Sequence, residues 1–278
     1  MRICLDGQAA SSRSVVALGM FDGLHLGHQV LLKRAKALAK RQNAIFVAST
    51  FTTHPMRMIR PEKCPPMLTT FEERRAWMEE LGVELLCAQP FDQSVMNTAP
   101  EEFIARLCER LHPCRIVVGY NHTFGRKGEG NPAILTALGK IFGFAVEVVP
   151  KIALDGNEVS STAVRELLAQ GLVEEARRML WRPYGREAMV LGGRKEECWL
   201  RMLGDGKQDV PAGRYRVLAD HGGESLPGTL HMHGRGRATL FPAGDLFAET
   251  EVRLQFYHRL GQALGGRKRR KRSIPPPS

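Results

Sequence analysis

"SVVALGMFDGLHLGHQ", residues 14–29, opens as an apolar run and turns into a stretch holding three glycines and two histidines. The run reads as a buried strand. Leu31, Ala35, Leu38 and Gln42 then recur at steps of three and four, so a helix follows the glycine turn. Gly23 and Gly27 allow a tight turn and a close backbone approach to a ligand. His28 falls at the start of the helix, where free N–H groups and the helix dipole favour an anion. His25, three residues earlier, can point into the same space. Two imidazoles in this setting form a grip for a phosphoryl group whose charge spreads as it is attacked. Neither a GxxxxGK[ST] loop nor, in this first turn, a GxGxxG loop is present, so phosphate is held by a different device.

Working outward, four more apolar runs follow in the first 150 residues: 44–51, 83–91, 115–120 and 144–150. They do not alternate in polarity, which implies a sheet covered on both faces and therefore parallel. Helical patterns lie between them. One is "FEERRAWMEELG" at 71–82. A second, at 98–112, opens with Thr98, Pro100 and Glu101 in capping order, and a third is capped by Asn131 before Pro132. Strand–helix alternation of this kind predicts an α/β doubly wound domain. Past "WRPYG" (181–185) the pattern becomes alternating, with glycine and proline punctuation, which predicts a small antiparallel β-barrel-like domain. The expected boundaries are 1–184, 185–262 and a basic tail at 263–278.

The net charge is +11, of which "RKRRKR" at 267–272 supplies six. That tail is expected to be disordered, and nucleic acid is a candidate partner only through it. The six cysteines form no CxxC pair and read as small buried hydrophobes in a reducing cytoplasm. No apolar run is long enough to span a membrane, and no secretory h-region stands at the N-terminus. The "HMH" of 231–233 reads either as a metal pair or as alternating histidines on a surface strand.

In a parallel sheet, ligands bind beyond the carboxyl ends of the strands. There the sequence places "MFDGLHLGHQ", "TTHP" (52–55), "NHTFGRKGEG" (121–130) and "VSSTAVR" (159–165). Ser160, Ser161 or Thr162 can cap the helix of the last segment, and Arg165 can reach a phosphate one turn in. Capping explains the Ser-Ser-Thr string equally well, so that string leaves both readings open.

These four segments, in this order, resemble a known family. "GMFDGLHLGHQ" is similar to the GxFDGxHxGHQ signature of the bacterial FAD synthetase family (riboflavin kinase/FMN adenylyltransferase), and 159–184 resembles its ISSTxIR…GRPY segment. The resemblance implies a Rossmann-like nucleotidyltransferase that makes FAD and pyrophosphate from FMN and ATP with Mg2+. It implies that His25, His28 and Arg165 are catalytic. Gly19, Phe21, Asp22 and Gly23 would shape the adenylate pocket. Ser161 and Thr162 would hold the departing phosphates, and His54, Pro55, Asn121 and Phe124 would lie near FMN. The metal ligands are unassigned. The family's GFPTAN-type kinase string is missing from 185–210, so the barrel reads as a degenerate kinase half. Two alternatives remain open: an HxGH nucleotidyltransferase acting on another phosphorylated substrate, or a catalytically silent flavin- or nucleotide-binding regulator.

Overall fold

A computed structural model describes residues 1–4, 10, 12–204, 206–242, 244 and 246–261. The basic tail therefore lies outside the described residues. The chain forms two compact units. Met1–Arg186 with Gly204–Val210 make the first, and Glu187–Leu203 with the residues from Pro211 onward make the second.

The first unit is built on a six-stranded parallel sheet in the order β1-β4-β3-β2-β5-β6. Its strands are β1 (Arg2–Cys4), β2 (Ser14–Leu18), β3 (Ile45–Phe51), β4 (Leu85–Gln89), β5 (Pro113–Gly119) and β6 (Ala145–Val149). All of β2 is buried, as an apolar central strand must be when helices cover both faces. On one face, Leu31, Leu32, Ala35 and Leu38 of α1 (Leu26–Arg41) pack with Phe46, Met78 and Leu86. On the other, Ile104, Leu107, Leu135 and Leu138 pack with Val16, Val47 and Val118. These come from α5 (Pro100–Leu111) and α6 (Pro132–Phe142), which follow α2 (Met56–Ile59), α3 (Phe71–Glu80) and α4 (Gln93–Asn97). A short hairpin of β7 (Ala153–Leu154) and β8 (Asn157–Glu158) precedes α7 (Ser161–Ala169) and α8 (Val173–Leu180).

Local chemistry sets the helix ends. Asn131 caps α6, accepting from the Ala133 and Ile134 N–H groups. Thr70 and Glu73 form a complete capping box on α3. Thr98 does not cap α5. Pro100 takes the first helical position, Ala99 stands at the cap, and the Thr98 hydroxyl turns back to donate to the Ser94 carbonyl and close α4.

The second unit is a closed antiparallel barrel in the order β10-β13-β12-β11-β14-β9. Its strands are β9 (Tyr184–Arg194), β10 (Glu197–Met202), β11 (Gly213–His221), β12 (Glu224–Gly234), β13 (Arg237–Phe241) and β14 (Glu251–Leu260). Alternate residues fill it: Val190, Leu200, Tyr215, Leu230, Leu240 and Phe256 are all buried. The protein is thus a Rossmann-like α/β unit followed by a β-barrel.

Candidate active site

Past β2 the chain cannot continue as a strand. Phe21 takes a left-handed conformation (φ 53°) and Gly23 another (φ 80°). The intervening carboxylate makes this loop rigid. Asp22 accepts hydrogen bonds from the Leu68 and Thr69 N–H groups at 3.0 and 3.1 Å and from the Thr69 hydroxyl at 3.0 Å. It also pairs with Arg165 at 2.5 Å while only 3% of its side chain is exposed. Asp22 is therefore the knot that joins the first turn, the Pro66–Thr69 segment and α7. Ser161 adds a second tie, its hydroxyl donating to the Asp22 carbonyl at 2.9 Å.

The helix α1 begins directly after this loop, with His25 at its cap and His28 within its first turn. The two rings are stacked, 3.7 Å between centroids and 20° between planes. Phe21 meets His28 edge-on at 5.4 Å. Gly27 leaves room for this stack, since a Cβ there would stand 3.2 Å from the His25 ring and make it give way by a few tenths of an ångström. Both histidine Nδ1 atoms are buried without a hydrogen-bond partner. Burial, reinforced by the charges of Arg182 and Arg165, pushes His25 down to about 4. Burial also holds His28 well below the ordinary imidazole value, helped by His25, Arg182 and Arg74. At neutral pH both rings are neutral, so each carries one N–H donor and one acceptor. A pair of neutral donors facing fixed guanidinium charges suits an anion whose oxygens satisfy the unpartnered nitrogens.

Two more arginines complete the site: Arg74 lies outside the family-like segments, and Arg182 is the arginine of the RPY string, to which the sequence reading assigns no role. Arg74 of α3 is 1% exposed and donates to the carbonyls of Met20, Phe51 and Thr52 at 2.8–3.0 Å. It clamps together the ends of β2 and β3. Arg182 donates to the Gly23 carbonyl at 2.6 Å and lies over the Trp77 ring at 3.3 Å. Gln29, the last residue of the GHQ string, donates to the Leu24 and Leu180 carbonyls and fixes α1 against α8.

The remaining expected residues divide. His54 accepts from the Met56 N–H through Nδ1. Burial and Arg165 lower its pKa, and Asp22 opposes them, which places it in the same electrostatic neighbourhood. Pro55 stands at the start of the short α2. Ser160, not Ser161 or Thr162, caps α7, and the Thr162 side chain is exposed. Arg165 is committed to Asp22 and to the Pro66 carbonyl. Asn121 is exposed beyond β5, on the opposite side of β2 from β3. Phe124 is buried against Phe103 at 5.8 Å. Phe103 in turn lines a cleft of about 220 Å³ with Ser49, Gln89, Thr98, Leu107 and Arg110. Ser49 pairs in register with Leu18, so that part of the lining lies toward the strand ends that carry the histidine loop, while Arg110 and Leu111 extend the cleft back along α5. Among the described residues no group of three or more His, Cys, Asp or Glu is placed to hold a metal. The Asp22 carboxylate is occupied by its own donors.

Residues 7–163 match the family model described as FAD synthetase. The chain belongs to the FAD synthetase family. It is 33% identical over 184 residues to a bifunctional riboflavin kinase/FMN adenylyltransferase of Listeria monocytogenes, covering 65% of this chain and 58% of that protein. A protein of the same organism named FAD synthetase is 32% identical over 184 residues, 66% of this chain and 74% of that one. The chain thus matches less than two thirds of the bifunctional relative's length. Among solved structures, a macrolide-efflux protein from Streptococcus pneumoniae superposes with a TM-score of 0.82 at 24% identity, over 94% of this chain and 91% of that one. That likeness bears on the fold alone. No described helix is long and apolar enough to cross a membrane.

Proposed function

We propose that the protein transfers AMP from ATP to FMN, releasing pyrophosphate and forming FAD. The observation that carries this reading is the stacked His25–His28 pair, with its two buried unpartnered nitrogens, beside Arg182 and Arg165. An oxygen of the FMN phosphate attacks the α-phosphorus of ATP. The bond from that phosphorus to the oxygen bridging to the β-phosphate breaks, and pyrophosphate leaves. The chemistry needs charge stabilisation and alignment rather than a protein nucleophile. Imidazole N–H groups donate to the oxygens of the α-phosphoryl as their charge grows, and Arg165 and the start of α7 draw the departing phosphates. Magnesium would enter with the nucleotide and, when bound, would neutralise phosphate charge as pyrophosphate departs. In this reading the flavin ring enters the cleft walled by Phe103, with Phe124 bracing that wall, and His54, Pro55 and Asn121 lie near the bound FMN.

Riboflavin phosphorylation is absent in this reading. Residues 185–210 lack the GFPTAN-type string, and the barrel interior is filled by its own side chains. The test is to incubate the protein with ATP, magnesium and either FMN or riboflavin, then separate the flavins by chromatography. FAD from FMN and no FMN from riboflavin is the expected pattern. His28→Ala should lower turnover at least about a hundredfold with the fold intact. Undiminished turnover in that variant, or no flavin product in the wild type, overturns the assignment.

A further inference from the structure

The outer face of the barrel carries a charge pattern that adenylyl transfer does not use. The registers align three rungs across it. Arg214 of β11 faces His231 of β12, which faces Thr239 of β13, which faces Trp199 of β10. In the next rung Arg216 lies between His258 and Thr229, and Thr229 faces Phe241. In the third, Arg201 faces Arg237. No position in these rungs is a carboxylate. The acidic residues of the same strands, Asp220, Glu224 and Glu251, stand at the opposite strand ends, and Glu197 opposes Arg194. Arg201, Arg214, Arg216 and Arg237 are exposed, as is Arg235 in the β12–β13 turn, and among the described residues none of the five forms an ion pair.

Aromatic rings lie among these charges. Trp199 is 55% exposed although it sits mid-strand. The His231 ring rests on Phe241 at 4.8 Å, and His233 is fixed by the Thr239 hydroxyl at 2.9 Å. Neighbouring strands lie about 4.8 Å apart, so Trp199 and Arg201 of β10 share one side of the closed six-stranded barrel with Arg237 of β13 and the His231–Phe241 pair, whereas Arg214 and Arg216 of β11, three strands on, stand on the opposite side. Unpaired exposed guanidinium groups keep their counterions and their affinity for an anionic chain. A solvent-facing tryptophan supplies what a polyphosphate or an acidic peptide has no use for, namely a plane on which a base can stack.

We propose that the side of the barrel formed by β10, β13 and β12, with Arg201, Arg237 and Arg235, binds single-stranded nucleic acid. The arginines follow the phosphates, and Trp199 with the His231–Phe241 pair receives bases. The mode is sequence-tolerant, because stacking and phosphate contacts both ignore base identity. The proposal is independent of the adenylyltransferase reading and shares no residue with that site.

The experiment uses the full chain and a fluorescein-labelled single-stranded oligouridylate, read by anisotropy across a salt series. A DNA oligothymidylate distinguishes RNA from DNA as the source of the same chemistry. Binding is expected to saturate and to weaken with salt. The double variant Arg201→Gln/Arg237→Gln should weaken it and reduce the logarithmic salt slope by about 1.4, since each phosphate neutralised by an arginine adds about 0.7. Trp199→Ala should lower affinity about tenfold at an unchanged salt slope. All three positions are exposed, and far-UV circular dichroism and FAD formation should match the wild type. Absence of saturable binding overturns the proposal. So does binding that survives both variants, which would belong to residues 263–278 or elsewhere. A heparin fragment that binds equally well, with Trp199→Ala silent, also overturns it by showing a polyanion surface without base stacking.

Discussion

Asp22→Asn isolates the contribution of the knot beneath the histidine loop. The substitution preserves volume and one acceptor oxygen. It removes the charge facing Arg165, and it turns an amide NH2 onto a cluster made only of donors: Leu68 N–H, Thr69 N–H, the Thr69 hydroxyl and the guanidinium. Removing one partner of a buried ion pair costs about 3–5 kcal/mol. Asp22 is 3% exposed, but Arg165 is 12% exposed and can rehydrate, so the lower value, about 3 kcal/mol, applies. At about 2–4 °C per kcal/mol for a unit of this size, the first unit should melt about 6–12 °C lower. A Trp199→Phe background leaves Trp77 and Trp181 as the reporters, both in the first unit. Urea unfolding followed by their fluorescence can then be run on Asp22→Asn, Arg165→Met and the double variant. A coupling of about 2 kcal/mol is expected from the cycle. A coupling below about 0.5 kcal/mol would mean that the pair does not hold α7 to the loop, and the account of the site's rigidity would be wrong.

Two further outcomes follow from the same geometry. His25 and His122 are both held near 4 when folded, burial being the leading cause, against 6.5 when exposed. As pH falls the unfolded chain takes up these protons first, so stability is complete above about 6.5 and declines between 6.5 and 4. That gap corresponds to at most about 3 kcal/mol for each ring. The urea midpoint of His122→Phe should therefore fall less steeply over this range, and an identical slope would remove the ring from the account. Gly27→Ala should push the His25 ring off its 3.2 Å contact and cut the rate of FAD formation about tenfold or more at little cost in melting temperature; an unaltered rate would show that the stacking of the two rings is dispensable.

Apolar continuity made the central parallel strands legible, and alternation with turn residues did the same for the barrel. The first strand was not legible. Arg2–Cys4 is three residues long and shows no pattern, and only its pairing beside β4 makes it a strand. Thr98 misleads about the start of α5 because a hydroxyl near a proline fits two roles, and its reach to Ser94 is an outcome of the preceding turn. At the site, His25 and His28 announce themselves by spacing and by the glycines around them. Arg74 and Arg182 do not, because their partners are backbone carbonyls, which every residue possesses. Asp22 stands among the residues that would shape the adenylate pocket, and its oxygens hold the Leu68–Thr69 backbone beside that loop, a role that the motif does not announce.

The excursion of Gly204–Val210 bears on how this polypeptide can be divided. Lys207 sits 2.9 Å from both oxygens of Glu73, the two side chains 1% and 6% exposed, and Gly206 and Gln208 bond the backbone of Met67, next to the residues that grip Asp22. A gene truncated after Arg186 would encode both histidines yet lose Lys207, stranding Glu73 and loosening the floor of the anion site. Recombination therefore has no clean seam to cut along, and the barrel would be inherited with its neighbour even in a lineage where it catalyses nothing.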